Sequence, residues 1–193
     1  MKRIVLSISL SLATSLFAQE TKKLDAAALK NIEAAPVITK PQFVPKSANG
    51  PLREVSRTYT DKGARVITMS DGDKIESPLV DVPIHFLRDK AVLADAQSRA
   101  NLEILARKLK ELEAGGARFC IEGHASADGD AAHNQTLSEE RATAIGQELL
   151  ARGVAAKTIL KTIGLGSTHA THSAYASEAL LQEDRRVLVV REK

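Results

Sequence analysis

Leucine spacing is the feature that most constrains how this chain can fold. Four leucines recur at steps of three, four and three residues, at Leu102, Leu105, Leu109 and Leu112. Side chains at this spacing share one face of an α-helix and form a buried stripe. The pair Gly115-Gly116 follows, and glycines in this position end helices. The pattern predicts a helix over 95–113 that packs one face against another layer of the protein.

Strand-like segments alternate with helix-like segments around this helix. A second helical pattern runs from Asn134 to Gly153, and its buried stripe consists of Ala142, Ile145 and Leu149. Apolar or alternating runs typical of strands cover 82–87, 117–122, 158–163 and 187–191. This order indicates an α/β (α+β) domain of βαβαββ type, with helices packed on a mixed sheet.

A turn signal precedes the domain. The segments 65–69 and 74–80 flank Ser70-Asp71-Gly72-Asp73, and Asp-Gly between β-prone runs is typical of a hairpin. The same residues could suggest a calcium loop, but the Glu that closes a twelve-residue loop is missing. We therefore expect a β-hairpin extension over 64–81.

The N-terminus resembles a secretory signal peptide. Lys2 and Arg3 precede an apolar run from Ile4 to Ala18, which is shorter than the roughly 20 residues of a membrane span. We expect residues 1–18 to be removed after Ala18 and the protein to be exported, to the periplasm or in association with the outer membrane. No Cys follows the run, so we expect no lipid-modified N-terminus.

Residues 19–63 have the composition of a flexible tail and linker. Four of the six prolines lie between residues 36 and 63. A short helical pattern at Leu24, Ala28, Leu29 and Ile32 has too few turns to be stable alone. The segment carries eight basic and five acidic residues. Two interpretations stay open: a solvated basic tail, or attraction to an anionic wall polymer or lipid.

Composition excludes several kinds of site. Six aromatic residues are too few for a single-strand nucleic-acid binder, which stacks bases on aromatic rings. The lone Cys120 allows no internal disulfide, and its strand predicts a packed side chain on the face opposite Phe119 and Ile121. The candidate metal ligands are His133, His169 and His172, but they lack acidic neighbours and are weak evidence for a metal site. We expect a solvated loop at 169–178 and no cofactor.

Four separated motifs follow one another in the second half of the chain. They are Gly123-His124-Ala125-Ser126-Ala127-Asp128-Gly129, Asn134 with Leu137-Ser138-Glu139-Glu140-Arg141-Ala142, Gly164-Leu165-Gly166, and Asp184-Arg185-Arg186-Val187. Their order and spacing resemble the OmpA-like C-terminal domain, whose pattern is G-H-T-D-x-x-G, N-x-x-L-S-x-x-R-A, G-x-G and [ND]-R-R-V. Residues 86–93 are similar to its first strand, F-D-F-D-x-x-x-L. The resemblance covers 82–193 and implies a peptidoglycan-binding domain.

The resemblance implies which residues would hold a stem peptide of the diaminopimelate type. In the family, the Arg of L-S-x-x-R-A receives the carboxylate of the diamino acid, and this residue is Arg141. Helical side chains lean toward the helix N-terminus, which directs the guanidinium at the 124–130 loop. Its planar fork suits a carboxylate, and backbone N–H groups at the helix start would add to the anion site.

The acidic ligand of the family is missing. Ser126 stands where the family has the Asp that receives the ammonium, and a hydroxyl offers a hydrogen bond without charge. Asp128 and Asp130 lie in the same loop, and either is a candidate replacement carboxylate. The alternative is a divergent domain that has lost wall binding and serves as a protein-interaction module.

Two further residues are candidates for the cleft. Asn134 is either the N-cap of the second helix or a residue at the border of the ligand site. Arg186 resembles a family arginine that lines the cleft, while Arg185 would face away by strand alternation. Gly164 and Gly166 permit close backbone approach.

An enzymatic function is not expected. His124, Ser126 and Asp128 form an H-x-S-x-D run, but alternation along an extended segment does not provide an oriented base and an oxyanion hole. The nucleophile-elbow pattern G-x-S-x-G is absent from the sequence. We expect a non-enzymatic envelope protein that binds peptidoglycan, with its N-terminal tail available to other envelope proteins.

Overall fold

The computed structural model describes residues 21–40, 53–61 and 63–192. The signal peptide predicted at 1–18 and the linker residues 41–52 lie outside this part of the chain. The elements follow in the order α1 (Ala26–Asn31), β1 (Val37–Thr39), β2 (Glu54–Thr60), β3 (Ala64–Met69), β4 (Lys74–Val82), α2 (Ala96–Glu113), β5 (Phe119–Gly123), α3 (Ala131–Ala151), β6 (Ile159–Gly164), α4 (Glu178–Asp184) and β7 (Val187–Arg191). No helix of these residues is both long and apolar enough to cross a membrane.

The strands form a mixed sheet, as predicted. Its order is β2-β3-β4-β7-β5-β6, with β1 beside β4. β5 and β6 are parallel, and β7 is antiparallel to both β4 and β5. The strand expected over 82–87 is wrong, because β4 ends at Val82 and Pro83 has no N–H to continue a ladder. Beyond it, Phe86 and Leu93 form an isolated bridge that closes a loop, the 86–93 loop.

The hairpin predicted at Ser70–Asp73 is present. It joins β3 to β4, and Gly72 takes a φ of 88° in the turn, a left-handed conformation that favours glycine. β4 then continues across the expected domain boundary at residue 82. Its residues 79–82 pair with 187–190 of β7, so the hairpin and the domain share one sheet.

The two long helices are present, with one corrected end. α2 begins after Asp95, whose side chain accepts a hydrogen bond from the Ser98 N–H at 2.6 Å, and the predicted helix over 95–113 is confirmed. α3 begins three residues before Asn134. Asp130 caps it by accepting from the His133 N–H at 2.8 Å, so the prediction of Asn134 as N-cap is wrong.

The prediction of a flexible linker is wrong over two strands. β1 pairs with residues 74–76 of β4, and β2 pairs with β3 along its length. The partners come from later in the chain, so local composition does not reveal them. α1 is also anchored, because Leu29 and Ile32 are buried in the main core and the Asn31 side chain donates to the Leu79 carbonyl at 2.8 Å.

Both faces of β5 are covered. Phe119 and Ile121 point into the main core against the helices, whereas Cys120 points the other way, as predicted. Burial raises the pKa of the Cys120 thiol to about 12. The expected half-buried strand is instead buried at every residue, because side chains of β2 and β3 reach across its outer face.

Candidate functional site

Three of the four sequence motifs, all but Gly164-Leu165-Gly166, contribute residues to a cleft of about 340 Å³, which we term the motif cleft. One wall is the 86–93 loop and another is the first half of α3. The 124–130 loop and the α4 region complete the cleft. Its lining side chains include Phe86, Asp89, Ser126, Asp128, Asn134, Arg141, Glu178 and Arg185.

Two glycines place α3 directly on the strand ends. A Cβ at Gly123 would lie 2.1 Å from the Ser138 carbonyl oxygen, and one at Gly164 would lie 2.3 Å from the Glu139 nitrogen. Both distances are too short for a contact between non-bonded atoms, so neither position has room for a side chain. The close approach predicted at Gly164 is confirmed, and together with Gly123 it allows the first half of α3 to pack against the C-terminal ends of β5 and β6.

Asn134 holds the 124–130 loop in shape. Its side-chain nitrogen donates to the Asp128 carbonyl at 2.7 Å and to the Ser126 carbonyl at 3.2 Å, and the residue is buried. Because Asn134 also lines the cleft, it borders the candidate site while its amide nitrogen stays bound to the loop.

Arg141 places a buried cation in the cleft, near the Asp89 carboxylate but in no ion pair among the described residues. Its Nε donates to the Lys90 carbonyl at 3.2 Å, and its guanidinium lies 4.9 Å from the centroid of the Phe86 ring. The residue is 7% exposed, and among residues 21–40, 53–61 and 63–192 no carboxylate forms an ion pair with it. Burial lowers the pKa of Arg141 and the nearby Arg185 cation lowers it further, whereas the Asp89 carboxylate raises it without reversing the direction.

The surroundings of Arg141 differ from the prediction in two ways. Its guanidinium bonds to the 86–93 loop and not to the 124–130 loop. The first turn of α3 is also capped by Asp130, so one of the backbone N–H groups expected to help bind an anion, that of His133, already has an acidic partner. The side chain in the cleft that suits an anion is Arg141, because its guanidinium forms no ion pair among the described residues.

Ser126, Asp128, Glu178 and Arg185 form a connected group, which we term the Arg185 network. Arg185 donates from Nε to Ser126 Oγ at 2.9 Å and from a terminal nitrogen to Asp128 at 3.2 Å. It also donates to Glu178, and Ser126 Oγ donates to Asp128. The hydrogen bond from Ser126 and the charge of Arg185 lower the pKa of Asp128.

Comparison with known proteins agrees with this geometry. The OmpA family model matches residues 85–180, the segment that carries the 86–93 loop, the 124–130 loop, Arg141 and the start of α4. Residues 85–180 belong to the OmpA family.

Solved structures share the fold of this OmpA-family domain. The peptidoglycan-associated lipoprotein from Burkholderia pseudomallei matches with 25% identity and a TM-score of 0.50, over 56% of this chain and 88% of that one. The periplasmic domain of Helicobacter pylori MotB (residues 97–256) matches with 12% identity and a TM-score of 0.51, over 70% and 86% of the two chains. Its C-terminal domain (residues 125–256) matches with 14% identity and a TM-score of 0.51, over 58% and 84%.

The adjacent residues Arg185 and Arg186 are placed opposite to the prediction. Arg185 lines the motif cleft, whereas Arg186 pairs with Asp184 at 3.3 Å and donates to the His169 carbonyl at 3.4 Å. The placement of Arg186 in the motif cleft is therefore wrong. β7 begins at Val187, so strand alternation does not extend back to either arginine.

The H-x-S-x-D run does not assemble into a triad. His124 is buried, and its ring packs edge-on against Tyr59 with 5.4 Å between centroids. Neither ring nitrogen has a hydrogen-bond partner in the described part of the chain, and Nε2 lies 3.9 Å from Glu122. Burial lowers the pKa of His124. The Ser126 hydroxyl, in contrast, belongs to the Arg185 network.

The three histidines considered for metal binding have separate environments. His133 lies at the cleft, 3.6 Å from Asp89, and His172 lies 3.1 Å from Glu183. The prediction of a solvated loop is wrong at His169, which packs against Tyr59 with 5.2 Å between ring centroids. Within the described ranges, no group of three His, Cys, Asp or Glu side chains is arranged to hold a metal ion.

Sequence reasoning missed the buried carboxylate of Glu122. It accepts hydrogen bonds from Arg57 at 2.6 Å, Arg65 at 2.8 Å and the Tyr59 hydroxyl at 2.8 Å. Burial opposes its ionisation, but the neighbouring His124 and the two arginines outweigh burial and lower the pKa of Glu122 from 4.5 to about 2. These contacts attach β2 and β3 to the strand that leads into the 124–130 loop.

Proposed function

We propose that this chain is an exported, non-enzymatic envelope protein whose OmpA-family domain binds peptidoglycan through the diamino acid of the stem peptide. The observation that carries the proposal is the buried guanidinium of Arg141, which lines the motif cleft and forms no ion pair in the described residues. The related Burkholderia pseudomallei protein is named as a peptidoglycan-associated lipoprotein, which supports the same function here.

The chemistry of Arg141 suits a carboxylate ligand. A guanidinium presents paired N–H donors in one plane, and they match the two oxygens of a carboxylate. The Phe86 ring and the Lys90 carbonyl hold this plane in place before a ligand arrives. Hydrogen bonds to charged groups contribute about 1.5–3 kcal/mol each, so this contact would anchor the stem peptide.

A second candidate function has its own observation. Ser126 replaces an acidic residue, and its hydroxyl is engaged within the Arg185 network. A domain with this change could use the same fold to bind another envelope protein instead of the wall. Retention on peptidoglycan separates the two candidates.

Cosedimentation with purified peptidoglycan sacculi tests the proposal. The wild-type chain should sediment with sacculi containing meso-diaminopimelate, and free meso-diaminopimelate should compete. Arg141→Gln should reduce retention at least tenfold, whereas Arg107→Gln, at an exposed position of α2, should not. No retention of the wild type would favour the protein-interaction module, and equal retention of R141Q would remove Arg141 from the site.

Export and the absence of enzymatic activity are separate parts of the proposal. N-terminal sequencing of protein recovered from the periplasm should begin after Ala18. Incubation with sacculi should release no soluble muropeptides, because the His124 ring has no hydrogen bond to Ser126. Muropeptide release that depends on Ser126 would overturn the non-enzymatic assignment.

A further inference from the structure

The polar atoms at one end of the motif cleft already bind a cation of this chain. An incoming ammonium needs acceptor oxygens, and the 124–130 loop offers the Ser126 hydroxyl and the Asp128 carboxylate. Both accept N–H groups from Arg185, at 2.9 Å and 3.2 Å. The guanidinium therefore makes the contacts that a ligand ammonium would otherwise make.

Arg185 is held firmly in this position. Glu178 accepts a further hydrogen bond from it, so three side chains orient one guanidinium. The Arg185 side chain is 23% exposed, and a guanidinium does not lose its proton in proteins. A ligand ammonium would have to break several charge-assisted hydrogen bonds to take its place.

The cleft places a second cation, Arg185, near the guanidinium of Arg141. Both arginines line the cleft, and Arg141 forms no ion pair with a carboxylate of the described residues. The two guanidinium groups repel each other, and a carboxylate bound at Arg141 would offset this repulsion. The same cleft thus favours an anion at Arg141 and supplies its own cation nearby.

Asp89 is the cleft carboxylate that could still receive an ammonium. It lies 3.7 Å from Arg88 and 3.6 Å from His133, its charge also acts on Arg141, and its side chain is 66% exposed. Exposed ion pairs contribute at most about 1 kcal/mol, because solvent screens them. An ammonium at Asp89 would therefore add little affinity.

We propose that Arg185 is a built-in cation occupying the place of the ligand ammonium, so that the motif cleft selects the distal carboxylate of the diamino acid and is indifferent to its distal amine. This inference rests on the proposed function, because it assumes that the cleft binds stem peptides. It specifies that the cleft recognises the carboxylate, and not the ammonium, at the distal end of the ligand.

Three synthetic tripeptide amides test the inference by calorimetric titration of the full chain. They share L-Ala-γ-D-Glu and end in meso-diaminopimelate, 2-aminopimelate or lysine, with the α-carboxyl of the last residue amidated. The first keeps both distal groups, the second keeps the carboxylate alone and the third keeps the amine alone. We expect the first two to bind within about twofold of each other and the lysine peptide at least tenfold more weakly.

Arg185→Gln provides the matched variant. It releases Ser126 and Asp128 from their internal cation, so the distal amine should begin to matter. The variant should prefer the diaminopimelate peptide over the 2-aminopimelate peptide by at least fivefold, whereas Asp89→Asn should show no such preference. The wild-type comparison requires no substitution and remains decisive if R185Q does not fold.

The outcomes distinguish the inference from the function on which it rests. A wild type that binds the diaminopimelate peptide tenfold better than the 2-aminopimelate peptide keeps the proposed function and overturns the role of Arg185. Loss of that preference in D89N would assign the ammonium to Asp89. Binding of none of the peptides, together with no retention on sacculi, would overturn the proposed function itself.

Discussion

Arg185 donates from its Nε to the hydroxyl of Ser126 at 2.9 Å, across the floor of the motif cleft. This contact gives the serine a role that its position in the sequence motif does not suggest. The hydroxyl accepts a hydrogen bond from Arg185 and donates one to Asp128. The Ser126 side chain is therefore bound within the protein before any ligand arrives. Ser126 is therefore part of a charge network within this protein.

Ser126→Ala should leave wall binding nearly intact. The hydroxyl serves Arg185 and Asp128, and those two side chains remain paired at 3.2 Å without it. Retention on sacculi, measured by cosedimentation, should change by less than about threefold. A loss as large as that of Arg141→Gln would instead make Ser126 a direct ligand contact.

Glu122→Gln should destabilise the fold strongly. Glu122 and Arg65 are both fully buried, and removing one partner of a buried ion pair typically costs about 3–5 kcal/mol. Urea unfolding should show the loss as a lower midpoint with an unchanged slope. Glu54→Gln is the matched control, since Glu54 pairs with Arg57 at a side chain that is 36% exposed, and should cost below about 1 kcal/mol. Equal losses of unfolding free energy in the two variants would contradict the larger contribution expected of the buried ion pair.

The same carboxylate should make stability sensitive to acid. The pKa of Glu122 is about 2 in the folded protein against 4.5 as its ordinary value, so the folded state binds the proton more weakly. Its contribution is complete above about pH 4.5 and is lost as the pH falls toward 2. The difference in unfolding free energy between wild type and E122Q should shrink over this range. A difference that stays constant between pH 6 and 3 would contradict the lowered pKa.

Gly123→Ala should disturb the packing of α3. The added Cβ would lie 2.1 Å from the Ser138 carbonyl oxygen, so the helix must move away from β5. Overpacking of this kind costs about 1–3 kcal/mol and should lower the melting temperature. At Gly115 the nearest atom is 3.5 Å away, and Gly115→Ala should be close to neutral. Similar melting temperatures for the two variants would refute the close approach.

Local patterns were sufficient for much of the fold. The leucine stripe predicted α2, and the Asp-Gly signal predicted the hairpin between β3 and β4. Alternation predicted that Cys120 lies on the face opposite Phe119 and Ile121. Each of these features depends on residues that are close together in the chain, so periodicity and turn chemistry suffice to find them.

Features that depend on distant partners could not be predicted in the same way. β1 and β2 form because β4 and β3 supply hydrogen bonds from later in the sequence. Glu122 is buried because Arg57 and Arg65 reach it from another hairpin. Nothing in the residues beside these segments records the partner.

The candidate site was predictable only in part. The motif spacing correctly predicted that Ser126, Asp128, Asn134 and Arg141 share one cleft. Strand alternation, however, was applied to the two arginines that precede β7, and it selected the wrong one. A chain leaving the end of α4 does not follow strand alternation, so whether Arg185 or Arg186 faces the cleft depends on the three-dimensional turn.

The most direct test of the proposed function is the dissociation constant of the tripeptide L-Ala-γ-D-Glu-meso-diaminopimelate for wild type and R141Q, measured by calorimetry with R107Q as the control. Loss of a charge-assisted hydrogen bond worth about 1.5–3 kcal/mol predicts binding at least tenfold weaker in R141Q and unchanged in R107Q. Equal affinities for the wild type and R141Q, with both proteins folded, would contradict the assignment of Arg141 as the carboxylate ligand.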